Sequence, residues 1–354
     1  MKNVLVIFGG CSSEHDVSTV SACSVLENIS SEKYNVFMMG ISKQGEWYLF
    51  EDDHKLLPND KWLESEKKTK AIISPDRNVH GITVFRDGSF ENIYIDVVFP
   101  VLHGKNGEDG TIQGLMQLAG IPYVGCDMTS SAISMDKILT NEVADQNGIA
   151  QARWEYITKY AYESGEKKLD TIAENLGFPI FVKPANAGSS VGISKAHDFA
   201  ELEKATLKAF EHDTRVLFEE FIDGYEIECA ILGNDELING VVGQITPANE
   251  FYDYDAKYEN AASVLNIPAL ISDELQEQVA SEAKKTYKAL GCSGFSRVDF
   301  FVTKKDSRIL FNEINTIPGF TSISMYPKMI DAAGISYEKL CDRLIELACE
   351  KWGK

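Results

Sequence analysis

The stretch FNEINTIPGFTS, residues 311–322, sets a carboxylate and a carboxamide two positions apart in an apolar run, then enters a Pro-Gly turn rich in hydroxyls. Residues two apart on a strand share a face, so Ile309, Phe311, Glu313 and Asn315 are expected on one side of it. A second acidic strand lies just upstream. In GFSRVDFFV, residues 294–302, Arg297 and Asp299 share a face while Val298 and Phe300 point the other way. Two neighbouring strands would then present Arg297, Asp299, Glu313 and Asn315 together. Buried carboxylates without partners cost several kcal/mol each, so something positive must compensate them. On these strands alone an ion pair with Arg297 and a divalent metal weigh about equally. Two acids and an amide oxygen make a hard, all-oxygen set suited to Mg²⁺, whose remaining positions phosphate and water can fill.

A phosphate site is legible in FVKPANAGSSVGIS, residues 181–194. Gly188 and Gly192 bracket Ser189 and Ser190 in a turn where backbone amides can approach an anion, and Lys183 ends the preceding strand. The glycines join two strands and no G-K-[ST] opens a helix, which predicts a flap over phosphates instead of a fixed cradle. An ordinary hairpin is the plain alternative; the VKP before it and the acid pairs after it weigh against that. VLFEEFIDGYEIECA adds Glu219, Glu220, Glu226 and Glu228, in isolation a solvated acidic hairpin. HGKNGEDGT, containing His103, reads as a loop at the carboxyl end of a parallel strand, where doubly wound sheets hold ligands. GGCSSEHDVS lies at the equivalent place after the first strand, without G-x-G-x-x-G, and its Glu14 would repel phosphate while suiting an ammonium group. FYDYDAKY gathers Tyr252, Tyr254 and Tyr258 around Lys257, a composition shared by packed surface turns and active-site lids.

Around these motifs the first third alternates strands (NVLVIF, YNVFMMGIS, IDVVFPVLHG) with helical patterns, which implies a parallel sheet covered on both faces. Residues 43–92 read as an insertion of hairpins and loops without recognisable chemistry. After GIPYVGCD, short strands joined by glycine turns and a helix from Asp198, with Glu201 at capping-box spacing, indicate an α+β region. The length of 354 residues and a hydrophobic content of 44% fit two or three domains. A net charge of -20 argues against nucleic-acid binding through a basic surface. No apolar run approaches the roughly 20 residues that span a bilayer, and MKNVLVIFGG enters a strand without signal-peptide architecture, so a cytoplasmic protein is expected. Seven cysteines without a C-x-x-C pair predict reduced core thiols, with neither a disulfide framework nor a zinc site.

Taken in order, GGCSSEHDVS, HGKNGEDGTIQG, SMDK, VKPANAGSSVG, FYDYDAKY, GFSRVDFF and NEINTIPGFTS resemble the D-alanine:D-alanine ligases of the ATP-grasp superfamily nearly end to end. The resemblance implies an ATP-grasp fold, α/β and α+β, in three domains. These are an N-terminal parallel α/β substrate domain at 1–125, a central ATP-grasp subdomain at 126–218 and a metal-binding subdomain at 219–354. It implies that Lys137 and Lys183 hold ATP phosphates under the flap of Ser189 and Ser190. The stretch Glu219, Glu220, Phe221 and Ile222 would form the adenine hinge, with Glu226 on the ribose. Asp299, Glu313 and Asn315 would ligate two Mg²⁺ ions, or Mn²⁺ in their place. Glu14 would anchor the first D-alanine's ammonium, with Ser189 and Tyr258 keeping Glu14 and the lid in register and His103 near the carboxylate. Lys257 would offset charge on the transferring phosphoryl group, and Arg297 with the Gly319 N–H would form the oxyanion hole. A homodimer is part of the same resemblance.

Other ligases of this kind join D-alanine to D-serine or D-lactate, and TSISMYPKM bears on the choice. Ser324 is placed for the second substrate's carboxylate. Met325 beside its side chain cannot donate to a serine hydroxyl, which favours D-alanine. A nucleotide-binding regulatory protein that lost catalysis would usually have damaged the acids or Arg297, and all are present. The 50–90 segment is expected to be dispensable unless it packs on the substrate domain.

Overall fold

The computed structural model describes residues 1–166, 168–189, 191–246 and 264–353. Ser190 and the tyrosine-rich stretch with Tyr252, Tyr254, Lys257 and Tyr258 lie outside the described residues.

The first strand, β1 (Lys2–Gly9), is apolar and fully buried from Val4 to Phe8, as a strand covered on both faces must be. It pairs in parallel with β2 (Tyr34–Ile41) and with β7 (Val97–Val101). Helix α1 (His15–Asn28) follows β1, and α2 (Thr111–Ala119) follows β7 after a loop, so Glu14 and His103 both stand at the carboxyl end of this sheet. The remaining strands, β3 (Trp47–Phe50), β4 (Lys68–Ile73), β5 (Gly81–Arg86) and β6 (Ser89–Tyr94), extend it antiparallel from β2, in the order β6-β5-β4-β3-β2-β1-β7.

The 43–92 segment is thus built of hairpins, as expected, but it continues the sheet. Trp62, from the 3-10 turn at Pro58–Glu64, is fully buried, with its ring centroid 5.1 Å from that of Phe8 and 6.1 Å from that of Phe50. The segment therefore packs on the first sheet, so the expectation that it could be trimmed without harm does not hold if that sheet carries the substrate. Trp62→Ala alone is expected to cost about 3–5 kcal/mol in a urea unfolding curve, the range for a large aromatic removed from a core.

A second, antiparallel sheet holds the flap. Helices α3 (Met128–Met135) and α4 (Lys137–Gln146) lead to β8 (Trp154–Thr158), β9 (Ile180–Pro184), β10 (Ser194–Ala196) and β11 (Arg215–Glu220), ordered β10-β9-β11-β8. Short α5 (Lys159–Glu163), α6 (Leu169–Leu176) and α7 (Phe199–Ala209) complete this unit. Asp198 caps α7 by accepting from Glu201 N–H at 2.9 Å. The reciprocal arm of Glu201 takes the N–H of His197, at 2.8 Å, instead of that of Asp198. Because β11 runs through residue 220, we propose that the boundary between the second and third units lies in the 221–223 turn, not at 218/219.

The third sheet, also antiparallel, contains β12 (Gly224–Leu232), β13 (Ile238–Asn239), β14 (Gly243–Thr246), β15 (Val264–Asn266), β16 (Phe295–Thr303) and β17 (Ile309–Asn315). Helix α8 (Asp273–Ala289) buries Val279, Ala283, Thr286 and Tyr287 at helical spacing against Ile227, Val298 and Phe300 of this sheet. After α9 (Met325–Ala332), the C-terminal α10 (Tyr337–Lys351) returns to the first sheet, its Leu340 and Leu344 joining Val4, Val6 and Phe8 in one core. All seven cysteines are free thiols. Among the described residues no helix is long and apolar enough to cross a membrane.

One expectation about strand faces fails. Asp299 pairs with Glu313, but Phe300 pairs with Phe311, so Asn312 is an extra residue bulged out of β17. The bulge exchanges faces: Ile309 and Phe311 pack with Val298, Phe300 and Ile314, opposite Glu313.

Candidate active site

The site begins where β16 and β17 present their polar face. Arg297 stands across from Asn315 and Asp299 from Glu313. The guanidinium grips Asp299 with two parallel bonds, Nε to Oδ1 and Nη2 to Oδ2, each 2.7 Å, and its Nε lies 3.2 Å from Glu228 Oε2 on β12. Asn315 Nδ2 donates to Asp299 Oδ2 at 3.1 Å, which leaves its Oδ1 as an acceptor. Burial works against the guanidinium's charge, yet Asp299, Glu228 and Glu313 together outweigh burial and hold its pKa well above the usual value. The ion pair is therefore present. Glu313 also reaches the wall of both cavities. Two carboxylates and an amide oxygen form a hard, all-oxygen donor set whose chemistry fits a divalent cation beside Asp299, Glu313 and Asn315.

On one side of this strand pair lies a cleft of about 450 Å³, lined by Phe181, Lys183, the 219–228 stretch, Asp299 and Glu313. Lys183 Nζ is 2.5 Å from Glu219 Oε2, and Asn141 Nδ2 donates to Glu219 Oε1 at 3.3 Å. The Glu220 carboxylate turns to Arg153, accepting from its N–H at 2.9 Å and its Nε at 2.7 Å. The Phe181 and Phe221 rings stand 6.3 Å apart, and Lys195 Nζ lies 4.2 Å from the Phe221 centroid, so this end has flat apolar walls.

On the other side is a cavity of about 340 Å³ that includes Glu14, His103, Lys137, Ser189, Gly319, Ser324 and Met325. Arg297, Asn312 and Glu313 line both spaces, which makes them one continuous site. Ser189, with a left-handed φ of 47°, donates its hydroxyl to Glu14 Oε1 at 2.5 Å, tying the flap to the first sheet. Gly104, at a left-handed φ of 69°, makes room for that approach: a Cβ there would sit 2.3 Å from Glu14 Oε2.

His103 lines this cavity and is hydrogen-bonded at both ring nitrogens. Its Nδ1 is 3.0 Å from the Ile317 carbonyl, which can only accept, so Nδ1 carries the proton and Nε2 accepts from Ser21 Oγ at 2.9 Å. Burial pushes the imidazole's pKa down, outweighing the pull of Glu14, and keeps it neutral. Nδ1 thus holds the turn that carries Gly319, while Nε2 fastens the ring to Ser21 on α1. Glu108 holds the same turn, accepting from Ile317 N–H at 3.1 Å and Gly104 N–H at 2.7 Å. Burial and then the charge of Glu14 push its carboxyl up to about 8 against those two bonds and Arg297. Glu108 and Asn312 were not singled out from the sequence. Glu108 stands in the same string as His103, whereas a bulge at Asn312 leaves no mark in the pattern.

Profiles of the D-ala D-ala ligase N-terminus and C-terminus match residues 3–126 and 143–346. The chain belongs to the D-alanine–D-alanine ligase family. A D-alanine–D-alanine ligase of Acetivibrio thermocellus is 50% identical over 99% of this chain and 96% of its own length. Among solved structures, the VanG D-Ala:D-Ser ligase of Enterococcus faecalis is 44% identical with a TM-score of 0.90, covering 98% of this chain and 99% of that one. The Bacillus anthracis D-alanine–D-alanine ligase complexed with ATP is 30% identical with a TM-score of 0.74, over 100% and 99%. The ligase therefore has the ATP-grasp fold, with a parallel-containing N-terminal sheet and two separate antiparallel sheets.

Proposed function

We propose that this ligase joins two D-alanines at the expense of ATP, for peptidoglycan precursors, and that the meeting of two cavities at Arg297 and Glu313 carries the reaction. Nucleotide fits the cleft with the flat walls, its base against the main chain of Glu219, Glu220, Phe221 and Ile222 and its ribose toward Glu226. Lys183 and Lys137 face its phosphates, and Ser189 covers them. Asp299, Glu313 and Asn315 would hold Mg²⁺, or Mn²⁺ in its place, which when bound offsets charge on the transferring phosphoryl group.

The first D-alanine lies in the other cavity, its ammonium on Glu14. Its carboxylate oxygen attacks the terminal phosphorus as the bond from that phosphorus to ADP breaks, giving an acyl phosphate and free ADP. The amine of the second D-alanine then adds to the acyl carbon, with Arg297 and the Gly319 N–H stabilising the oxyanion. Collapse expels phosphate and leaves the dipeptide. The Ser189–Glu14 bond closes the flap over the first amino acid, keeping water from the acyl phosphate. A cytoplasmic location and a homodimer are part of this proposal.

The test measures phosphate and dipeptide together, with D-alanine alone and with D-serine or D-lactate competing. D-alanine-dependent phosphate release matching dipeptide formed is expected; ATP turnover indifferent to the amino acid would reject the reading. Acceptor competition matters because one solved relative is a D-Ala:D-Ser ligase.

Met325 is 5% exposed and lies so close to β14 that a Cβ at Gly243 would sit 2.3 Å from its Cε. Met325→Arg cannot keep that seat, and the guanidinium must reach into the cavity beside the second substrate. Its acceptor preference should shift toward D-serine in the same assay; an unchanged acceptor profile would remove Met325 from the subsite.

A further inference from the structure

Four residues outside the reacting groups converge on the root of the flap. Asp136 is the N-cap of α4, its Oδ1 accepting from the N–H groups of Ile138 and Leu139, both at 3.1 Å. Its Oδ2 accepts from Asn186 Nδ2 at 3.2 Å and from the guanidinium of Arg215. Asp213 takes the Asn186 N–H at 2.8 Å and the Arg215 N–H at 3.1 Å. The backbone closes the same knot: Ala185 N–H donates to the Arg215 carbonyl, and Lys137 N–H to the Ala185 carbonyl, both at 3.0 Å. Lys137 Nζ then bonds the Ala187 carbonyl at 2.6 Å. Beyond Ala187 the chain turns through Gly188 to Ser189. Asp136, buried at 4% exposure, thus binds three things at once: the helix end bearing Lys137, the strand bearing Arg215, and Asn186 just before the flap.

We infer that Asp136, through Arg215 and Asn186, is a positioning residue that fixes the flap root and Lys137 relative to each other. The inference rests on the proposal that Lys137 and Ser189 serve the triphosphate. Its consequence is a coupling role. A root free to shift lets the flap close poorly, and water then takes acyl phosphate that the second amine should capture.

The full-length chain with Asp136→Asn and with Arg215→Met provides the test. Asparagine caps a helix as well as aspartate, so α4 keeps its start while the charge toward Arg215 is lost. Each variant is expected to raise KM for ATP by roughly tenfold, within what a misplaced group costs, and to release more phosphate than dipeptide. The double variant should be no worse than either single one, because both cut one linkage. Wild-type KM and a one-to-one product ratio in both variants would overturn the inference. So would loss of activity with products still matched and a lowered unfolding midpoint, which marks a purely structural role. Failure of the proposed function reads differently: the unaltered chain would then show no D-alanine-dependent phosphate release.

Discussion

Glu313→Gln is expected to lower kcat by about 10³-fold or more at saturating substrates, with the unfolding midpoint little changed. The substitution is isosteric, so the bulge at Asn312 and the pairing of β17 with β16 survive it, which is why the fold is not expected to suffer. What it removes is one negative charge from the group formed by Glu313, Asp299, Glu228 and Arg297. During turnover the same charge is needed, since a site that stabilises a transferring phosphoryl group by several kcal/mol loses a factor of ten for each 1.4 kcal/mol forfeited. Two measurements check it. Steady-state rates give the loss in kcat, and Mn²⁺ titration with a non-hydrolysable ATP analogue should show weakened metal binding. Near-normal turnover with unaltered Mn²⁺ affinity would remove Glu313 from the metal-holding set.

Much of this site was legible because its chemistry is written in local strings. The face shared by Arg297 and Asp299 follows from strand alternation, and β16 bears it out. The parallel core of β1 announces itself as five consecutive buried apolar residues. Three things were not legible, each for a physical reason. A bulge is set by sheet twist and tertiary packing, so the shift of Phe311 away from Glu313 could not be read from alternation. The packing of Trp62 on Phe8 joins residues far apart in sequence, and a polar, turn-rich neighbourhood concealed it. The roles of His103 and Glu108 depend on which nitrogen or oxygen meets the Ile317 peptide, a contact made only when the third sheet docks on the first.

Arg297→Met is expected to damage folding and chemistry by separable routes, and Arg297→Lys separates them. The guanidinium is the countercharge for Asp299 and Glu228, which are 8% and 4% exposed. Methionine fills similar volume but takes the guanidinium away from two buried carboxylates, a loss of about 3–5 kcal/mol when one side of a buried pair is removed. Urea unfolding near neutrality should therefore show the methionine variant with a lowered midpoint relative to the unaltered chain. Lysine restores a positive charge, though not the fork that meets Asp299 with two parallel bonds, so most of the stability should return. If Arg297 also stabilises the oxyanion, lysine should still lower kcat by about 10²-fold or more, with the smaller effect on KM. A lysine variant with full kcat would confine Arg297 to neutralising its neighbours and leave the oxyanion to the Gly319 N–H alone.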